Sequence, residues 1–561
     1  MTICELPANL LEAPRSPSAH VARTALQSSR SWGDVLLFVL LSACCVIPIW
    51  IGEFFPSQNG PWFLLPTQMF LRYGDPTYNY ADFYVRNWHP IPHLLHDALV
   101  GVASLALPLL TAEKVVLTFN ALLLPAAIFA WLTAVAPSRR WLGYLSFLMV
   151  LNYPFFRGYH DFTLSLGLYY LALAYWYGRR HHMTCGQWAV LAVLSVLVFL
   201  SHLLTFALLA GSIGWIRLFE TRSWTKASAT VALATWPGWL LAADYVWLNS
   251  RASWINREDT EWLPLHWTAE FFFRQFFHTV STPAYYVAVA AWAWIVVFAC
   301  LGWKQSGGSM TEGLKRLLRH PLTSLLVFFI CLYFVMPYKI LGWHKANIRL
   351  VAVILGMLLA SVATMPRLDI SQGMQRLFLG TVAAATAVQT ACVTPEVVRM
   401  NAALMQYVSG VKHFARKATL LPIHLENPAF GGIRPLTRAY EYYHLAHGGA
   451  NGHSLPSMNT LSIMWYREYP ITRRFPIYEP GNPEVLAAIR AAYDYVLVLG
   501  SDDRVFDELA AAGFEVVHRN ERIQLFRNRD QRQSGSQATN VSQPVKETVV
   551  GRRLTSQVAS D

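Results

Sequence analysis

Charge is scarce in this sequence: Asp, Glu, Lys and Arg make up only 14% of its 561 residues, where a soluble globular domain carries about 25%. With 54% hydrophobic and 14% aromatic residues, the scarcity excludes both an ordinary soluble enzyme and a disordered chain. Cysteine is sparse as well. Cys4, Cys44, Cys45, Cys185, Cys300, Cys331 and Cys392 lie nearly all in or beside apolar runs, with no CxxC pair and none beyond Cys392. They read as small packing residues in helices, which excludes a disulfide-stapled outer domain. P-loop, HExxH and GxSxG motifs are missing, as is any GxGxxG preceded by a strand. ATP-driven transport, zinc proteolysis and dinucleotide chemistry are thereby set aside. The remaining class is a polytopic membrane protein.

Lys and Arg number 45 against 33 Asp and Glu, a net charge of +12. No basic run interleaved with aromatics stands out, so no nucleic-acid partner is expected, and the excess reflects where the loops sit. Residues 1–33 are polar and carry Arg15, Arg23 and Arg30. The apolar run Val35 to Ile51 follows, with no small-residue cleavage site after it. It reads as a retained helix with a cytoplasmic N-terminus. Further apolar stretches at 115–135, 142–155, 162–177, 187–201, 203–216, 227–247, 283–302, 321–336, 349–365 and 376–393 bring the expectation to about eleven crossings of the ~20-residue length a bilayer needs.

The run 91–110 is apolar but contains His93, His96, Asp97 and Pro108. It is assigned to a helix at the outer surface, so that 53–114 becomes one long outer loop. That choice keeps Arg139, Arg140, Arg179 and Arg180 on the cytoplasmic side, as the positive-inside rule requires. It also needs 187–215 to fold back at His202; one long helix there would invert everything downstream. The expected fold is thus an all-α transmembrane domain over 34–393, followed by a small soluble α/β domain over 394–530 in the periplasm. In the latter, Asp494 to Gly500, Asp502 to Ala512 and Gly513 to Val517 read as strand, helix and strand, with Asp502 as cap and Gly513 as stop. Residues 531–561 read as a disordered tail. The location is the inner membrane of a bacterial-type cell.

Candidate chemistry sits in polar clusters at the outer boundary. After the first span come Glu53, Asn59, Asp75 and His89; a carboxylate beside aromatics at a membrane exit is partly desolvated, which raises its pKa and suits a general base. The turn Asn152 to Phe162 holds Arg157, His160 and Asp161, and Asp161 also suits a helix cap. The loop 249–282 carries Arg251, Arg257, Glu258, Asp259 and the amphipathic stretch Phe271 to Phe277, read as a helix lying on the outer leaflet. Finally, Lys339, His344, Lys345 and Arg349 crowd a short loop on the face where basic residues are disfavoured, which points to an anionic partner.

In order and spacing these pieces resemble the GT-C class of integral-membrane glycosyltransferases, which use polyprenyl-phosphate-linked sugars. Within it, the chain looks similar to bacterial proteins whose first loop carries Asp-Gly-Pro followed by His. Here that stretch reads Asn59-Gly60-Pro61-Trp62-Phe63, so an amide stands for the carboxylate and Phe63 for the histidine. The resemblance implies sugar transfer at the periplasmic face, from a polyprenyl-phosphate donor to a lipid or glycan acceptor. Glu53 or Asp75 would be the base and Asp161 a second acid or metal ligand. Arg349 and Lys345 would hold the phosphate, with Asn59, His89, His160, Lys339 and His344 also facing substrate; a divalent metal is left open. The alternatives are a non-catalytic scaffold that lost the acidic motif and a lipid-linked glycan transporter.

Overall fold

The structure is a computed structural model and describes residues 32–250, 260–305, 319–340, 343–366, 368–458, 461–468 and 474–530. Arg15, Arg23, Arg30, Arg251, Arg257, Glu258, Asp259 and the expected tail lie outside them. The helices are α1 (Trp32–Trp50), α2 (Gly60–Leu71), α3 (Leu94–Ala103), α4 (Leu109–Val135), α5 (His160–Arg179), α6 (Cys185–Ser201) and α7 (Leu203–Thr221). Then come α8 (Trp224–Ser250), α9 (Leu265–Phe277), α10 (Thr282–Gln305), α11 (Pro321–Val335), α12 (Arg349–Ala363) and α13 (Gln372–Val408). Among the described residues, α1, α4, α7, α10 and the stretch Gln372–His413 are long and apolar enough to cross a membrane.

Each expected span falls on an α-helix except 142–155. That stretch is instead a 3-10 run, Pro137–Met149, followed by the helical turn Tyr153–Arg157. At the 3-10 rise of about 2.0 Å per residue such a run reaches at most about 26 Å, and Arg139, at φ −117° and ψ 16°, breaks it near its start. The expected outer helix within 91–110 is α3, whose 10 residues reach only about 15 Å.

The fold-back at His202 is present. Thr184 and Gln187 form a capping box that starts α6, and His202, with φ −163° and ψ 122°, ends it. From there α7 returns alongside α5: Ser165 bonds Thr205 at 2.8 Å, Tyr169 bonds Ser212 at 2.8 Å, and Arg180 pairs with Glu220 at 2.7 Å. Contacts advancing in the same order on both helices require them to run parallel, so α6 and α7 form a hairpin rather than one long helix.

The small strands are β1 (Tyr84–Arg86), β2 (Lys339–Ile340) and β3 (Trp343–His344). The C-terminal region adds β4 (Leu420–His424), α14 (Glu441–His447), β5 (Met464–Tyr466), α15 (Pro483–Ala492), β6 (Tyr495–Leu499), α16 (Asp503–Ala511), β7 (Phe514–Arg519) and β8 (Ile523–Asn528). Its sheet runs β4-β6-β8-β7, parallel only between β4 and β6. The strand, helix and strand read around Asp502 are β6, α16 and β7. Asp502 accepts the Arg504 amide as cap, and Gly513 takes φ +92°.

This region is fastened to the segment between α1 and α3. β1 pairs antiparallel with β5, matching Tyr84 to Tyr466. The Tyr80 hydroxyl donates to the His444 carbonyl at 2.8 Å, and Trp62 Nε1 to the His453 carbonyl at 3.0 Å. Helix α13 also runs past Thr394, through Pro395, to Val408, so the apolar stem and the C-terminal region share one continuous helix.

Candidate active site

The site is built on two turns that lie against each other. Asn152 caps the helical turn Tyr153–Arg157 by accepting the Phe155 amide at 2.8 Å, and Gly158 ends it at φ +83°. The chain after α1 pairs with this turn, its Gln58 and Asn59 amides donating to the carbonyls of Phe156 and Arg157 at 3.0 and 3.1 Å. Gly158 has to be glycine twice over. Its φ is one that side chains resist, and a Cβ would come 2.8 Å from the Gly60 nitrogen. The close approach brings the start of α2 against the start of α5.

Asp161, in the first turn of α5, is 2% exposed and has Oδ2 at 3.5 Å from Nδ1 of His93. It also accepts the backbone amide of His96 and lies beside Asp97, which bonds Thr67. Contacts from a second helix go beyond what a cap requires, and the cap position of α5 belongs to Tyr159. Burial, with Asp161 adjacent, pushes the Asp97 carboxyl well above the usual carboxylate range. Burial, and then the Arg349 charge, lowers His93 to about 3, while burial alone lowers His96 to about 4. Burial raises the Asp161 carboxyl above the usual carboxylate range as well, so the site is a pair of carboxyls that both resist ionisation, beside imidazoles that resist protonation.

Cations gather around Tyr159, two residues before Asp161. Arg349 is buried in the first turn of α12, with its guanidinium 5.2 Å from the Tyr159 ring and 6.0 Å from that of Phe162. Its charge acts on both His93 and His202. Lys345, at φ +61°, donates to the Tyr153 hydroxyl at 2.6 Å. Burial, followed by the charge of Arg157, lowers Lys345 to about 8. Arg157 itself donates to Gln58 Oε1 at 2.6 Å, and its Nε is buried without a partner.

Of the residues singled out from sequence, Asp161, Lys345 and Arg349 belong to this assembly. His160 lies behind it, 2% exposed, its ring 5.2 Å from His96. Asn59 is at its edge through the backbone pairing with Arg157. The others lie elsewhere. Glu53 is exposed, with its charge acting on Lys114. Asp75 closes a turn by accepting the Thr77 amide at 2.9 Å, and that bond, with Arg72 nearby, keeps its carboxyl below the usual range. His89 contacts Asp244 at 3.3 Å and stacks on Trp465. Lys339 and His344 pair across β2 and β3, with His344 exposed.

Sequence reasoning missed His93 and Asp97 as site residues. The signal for them is the density of polar groups in an apolar run, with His93, His96 and Asp97 inside 91–110. It also missed Glu113, on α4. A Cβ on Gly60 would lie 3.3 Å from Glu113 Oε1, and the Phe63 ring is 6.3 Å from that of His93. A carboxyl thus stands beside Gly60, next in the chain to Asn59, and a histidine stands beside Phe63, both delivered by other elements. Among the described residues, no group of three or more His, Cys, Asp or Glu is placed to hold a metal ion.

No protein-family model and no curated protein matches the chain. Solved structures do. ArnT from Cupriavidus metallidurans, in the apo state, superposes with a TM-score of 0.54 at 13% identity, covering 89% of this chain and 98% of that one. The same protein bound to undecaprenyl phosphate gives 0.54 at 13%, covering 88% and 98%. From α1 through the C-terminal sheet, the chain has the fold of the GT-C class of membrane glycosyltransferases.

Proposed function

We propose that this protein is a membrane glycosyltransferase that moves a sugar from a polyprenyl-phosphate donor to a lipid or glycan acceptor at the periplasmic face of the inner membrane. The observation that carries the reading is the juxtaposition of a buried carboxyl pair, Asp161 and Asp97, with fixed cations, Arg349, Lys345 and Arg157, in a GT-C fold. The ArnT structure with bound undecaprenyl phosphate supports the donor class.

Asp161 is the base. It takes the proton of an acceptor hydroxyl while that oxygen attacks the anomeric carbon; the bond from that carbon to the phosphate oxygen breaks, and the leaving phosphate keeps the electron pair. The charge that develops there is met by Arg349 and Lys345, already oriented by Tyr159, Phe162 and Tyr153, so no reorganisation is needed during reaction. Asp97 lies beside Asp161, and two carboxyls so close resist carrying two negative charges at once. His93 orients Asp161. No step is routed through a metal, since the described residues present no ligand set for one. Eleven crossings, with the N-terminus inside and the sheet outside, belong to the same proposal.

The test uses the full chain in nanodiscs with undecaprenyl-phosphate-linked sugars and reads release of undecaprenyl phosphate. Release by the wild type, lost in Asp161→Asn, is expected. Failure of undecaprenyl phosphate to bind the wild type would overturn the reading.

A further inference from the structure

The cationic side of the site is completed by a segment from the C-terminal region. Phe430 and Ile433 exchange backbone hydrogen bonds at 2.8 and 3.1 Å, making a tight loop whose tip is Gly431 and Gly432. Gly431 has φ +58°, and a Cβ there would run into the Thr279 carbonyl. The Gly432 amide donates to the same carbonyl at 2.8 Å, and a Cβ on Gly432 would touch the Tyr153 ring at 3.4 Å. Gly431 thus has to lack a side chain where the loop meets the 278–280 turn, and Gly432 packs in van der Waals contact with Tyr153. The residue that follows, Arg434, is held by its backbone amide, which donates to Gln58 Oε1 at 3.2 Å; that same oxygen accepts Arg157 Nη1 at 2.6 Å.

One amide oxygen therefore fastens two arginines that belong to different parts of the chain. Among the described residues, the cations whose charge acts on Lys345 are Arg157 and Arg434. Arg434 also acts on Tyr153, the residue that accepts Lys345. Like charges gathered in a partly dry site repel, and an anion between them removes the cost.

We propose that Arg434 is a donor-binding residue and that the phosphate site is split between the membrane domain and the loop Phe430 to Arg434 of the C-terminal region. The inference rests on the glycosyltransferase reading above. It assigns the C-terminal region a part in binding the donor: the site has its full charge only while the glycine tip is seated against Thr279 and Tyr153.

The experiment measures undecaprenyl phosphate affinity in phosphatidylcholine nanodiscs across salt concentration, using the full chain and Arg434→Gln, Arg434→Lys, Arg349→Gln and Arg504→Gln. Arg434→Gln keeps the backbone bond to Gln58, so docking should survive, and matching melting curves check this. The expected results are affinity about tenfold to a hundredfold weaker for Arg434→Gln with a shallower salt slope, most of it restored in Arg434→Lys, and no change for Arg504→Gln on exposed α16. In turnover, Arg434→Gln should raise the KM for donor and leave kcat nearly unchanged. Wild-type affinity and salt slope in both Arg434 variants, with Arg349→Gln weakened, would overturn this inference alone. An Arg434→Lys that is as weak as Arg434→Gln despite normal melting would overturn the claim that charge is what Arg434 supplies. Absence of wild-type binding would overturn the glycosyltransferase reading and this inference with it.

Discussion

Nδ1 of His93, at the start of α3, stands 3.5 Å from Oδ2 of Asp161, at the start of α5. The His93 backbone takes φ +86° to reach it, a conformation uncommon outside glycine and enriched where function constrains geometry. The contact joins the start of α3 to the turn between the 3-10 run and α5. Arg349, whose charge acts on the same imidazole, brings in the loop before α12.

Asp161→Asn should keep the fold and lose the reaction. The amide oxygen can still accept the His96 amide, while the charge needed to take a proton is gone. Turnover of a polyprenyl-phosphate sugar should fall by roughly two to four orders of magnitude, with melting temperature and undecaprenyl phosphate affinity near wild type. Undiminished turnover would leave Asp161 with a packing role only.

Donor affinity should depend on pH through Lys345. In the unliganded protein its ammonium is lost as pH rises through about 8, so affinity should be level below that value and fall above it, by at most about tenfold per pH unit. Lys345→Arg keeps its charge over this range and should flatten the curve. Arg349→Lys separates a bidentate grip from a point charge: it should weaken binding at every pH while net charge is unchanged. Titration of undecaprenyl phosphate at a series of pH values decides both; a wild-type curve that stays level to about pH 9.5 would remove Lys345 from the site.

A second pH effect concerns stability. Glu441 on α14 is fully buried; its Oε2 accepts Ser454 and Asn451 at 3.0 and 3.2 Å, and Oε1 has no partner. Burial raises its carboxyl to about 8, against about 4.3 when unfolded. Between those values the native state binds more protons than the unfolded one. Its contribution is therefore complete below about 4.3 and is lost as pH rises through about 8. Glu441→Gln should remove that slope, giving a melting temperature that changes less between about pH 5 and 9 than that of the wild type. Parallel melting curves for the two proteins would show that Glu441 does not titrate in this way.

Topology is open to a direct check. Reporter fusions after Arg180, Arg319 and Arg529 should read cytoplasmic, cytoplasmic and periplasmic, because α6 and α7 form a hairpin and basic residues concentrate at the opposite end from the site. A cytoplasmic reading after Arg529 would require an even number of crossings.

Some of this was written locally in the chain. Apolar length marks α1, α4 to α8 and α10 to α13, since a segment that cannot solvate its backbone in lipid must satisfy it within itself, whereas α2 was hidden in a stretch that reads as a loop. The break at His202, the cap at Asp502 and the stop at Gly513 are likewise local, set by backbone geometry a few residues at a time. Asp161, Lys345 and Arg349 could be found because polar groups at the membrane boundary are costly enough to stand out. The 3-10 run at Pro137–Met149 was hidden, because apolar composition does not distinguish a 3-10 from an α rise. Only the tertiary structure brought His93 and Asp97 to Asp161, Glu113 to Gly60 and Arg434 to Arg157. Those approaches depend on pairings between distant segments: Gly158 against Gly60, β1 against β5, the Gly431 tip against Thr279. Composition and periodicity report what a segment does alone; which segments meet is decided by how their surfaces fit.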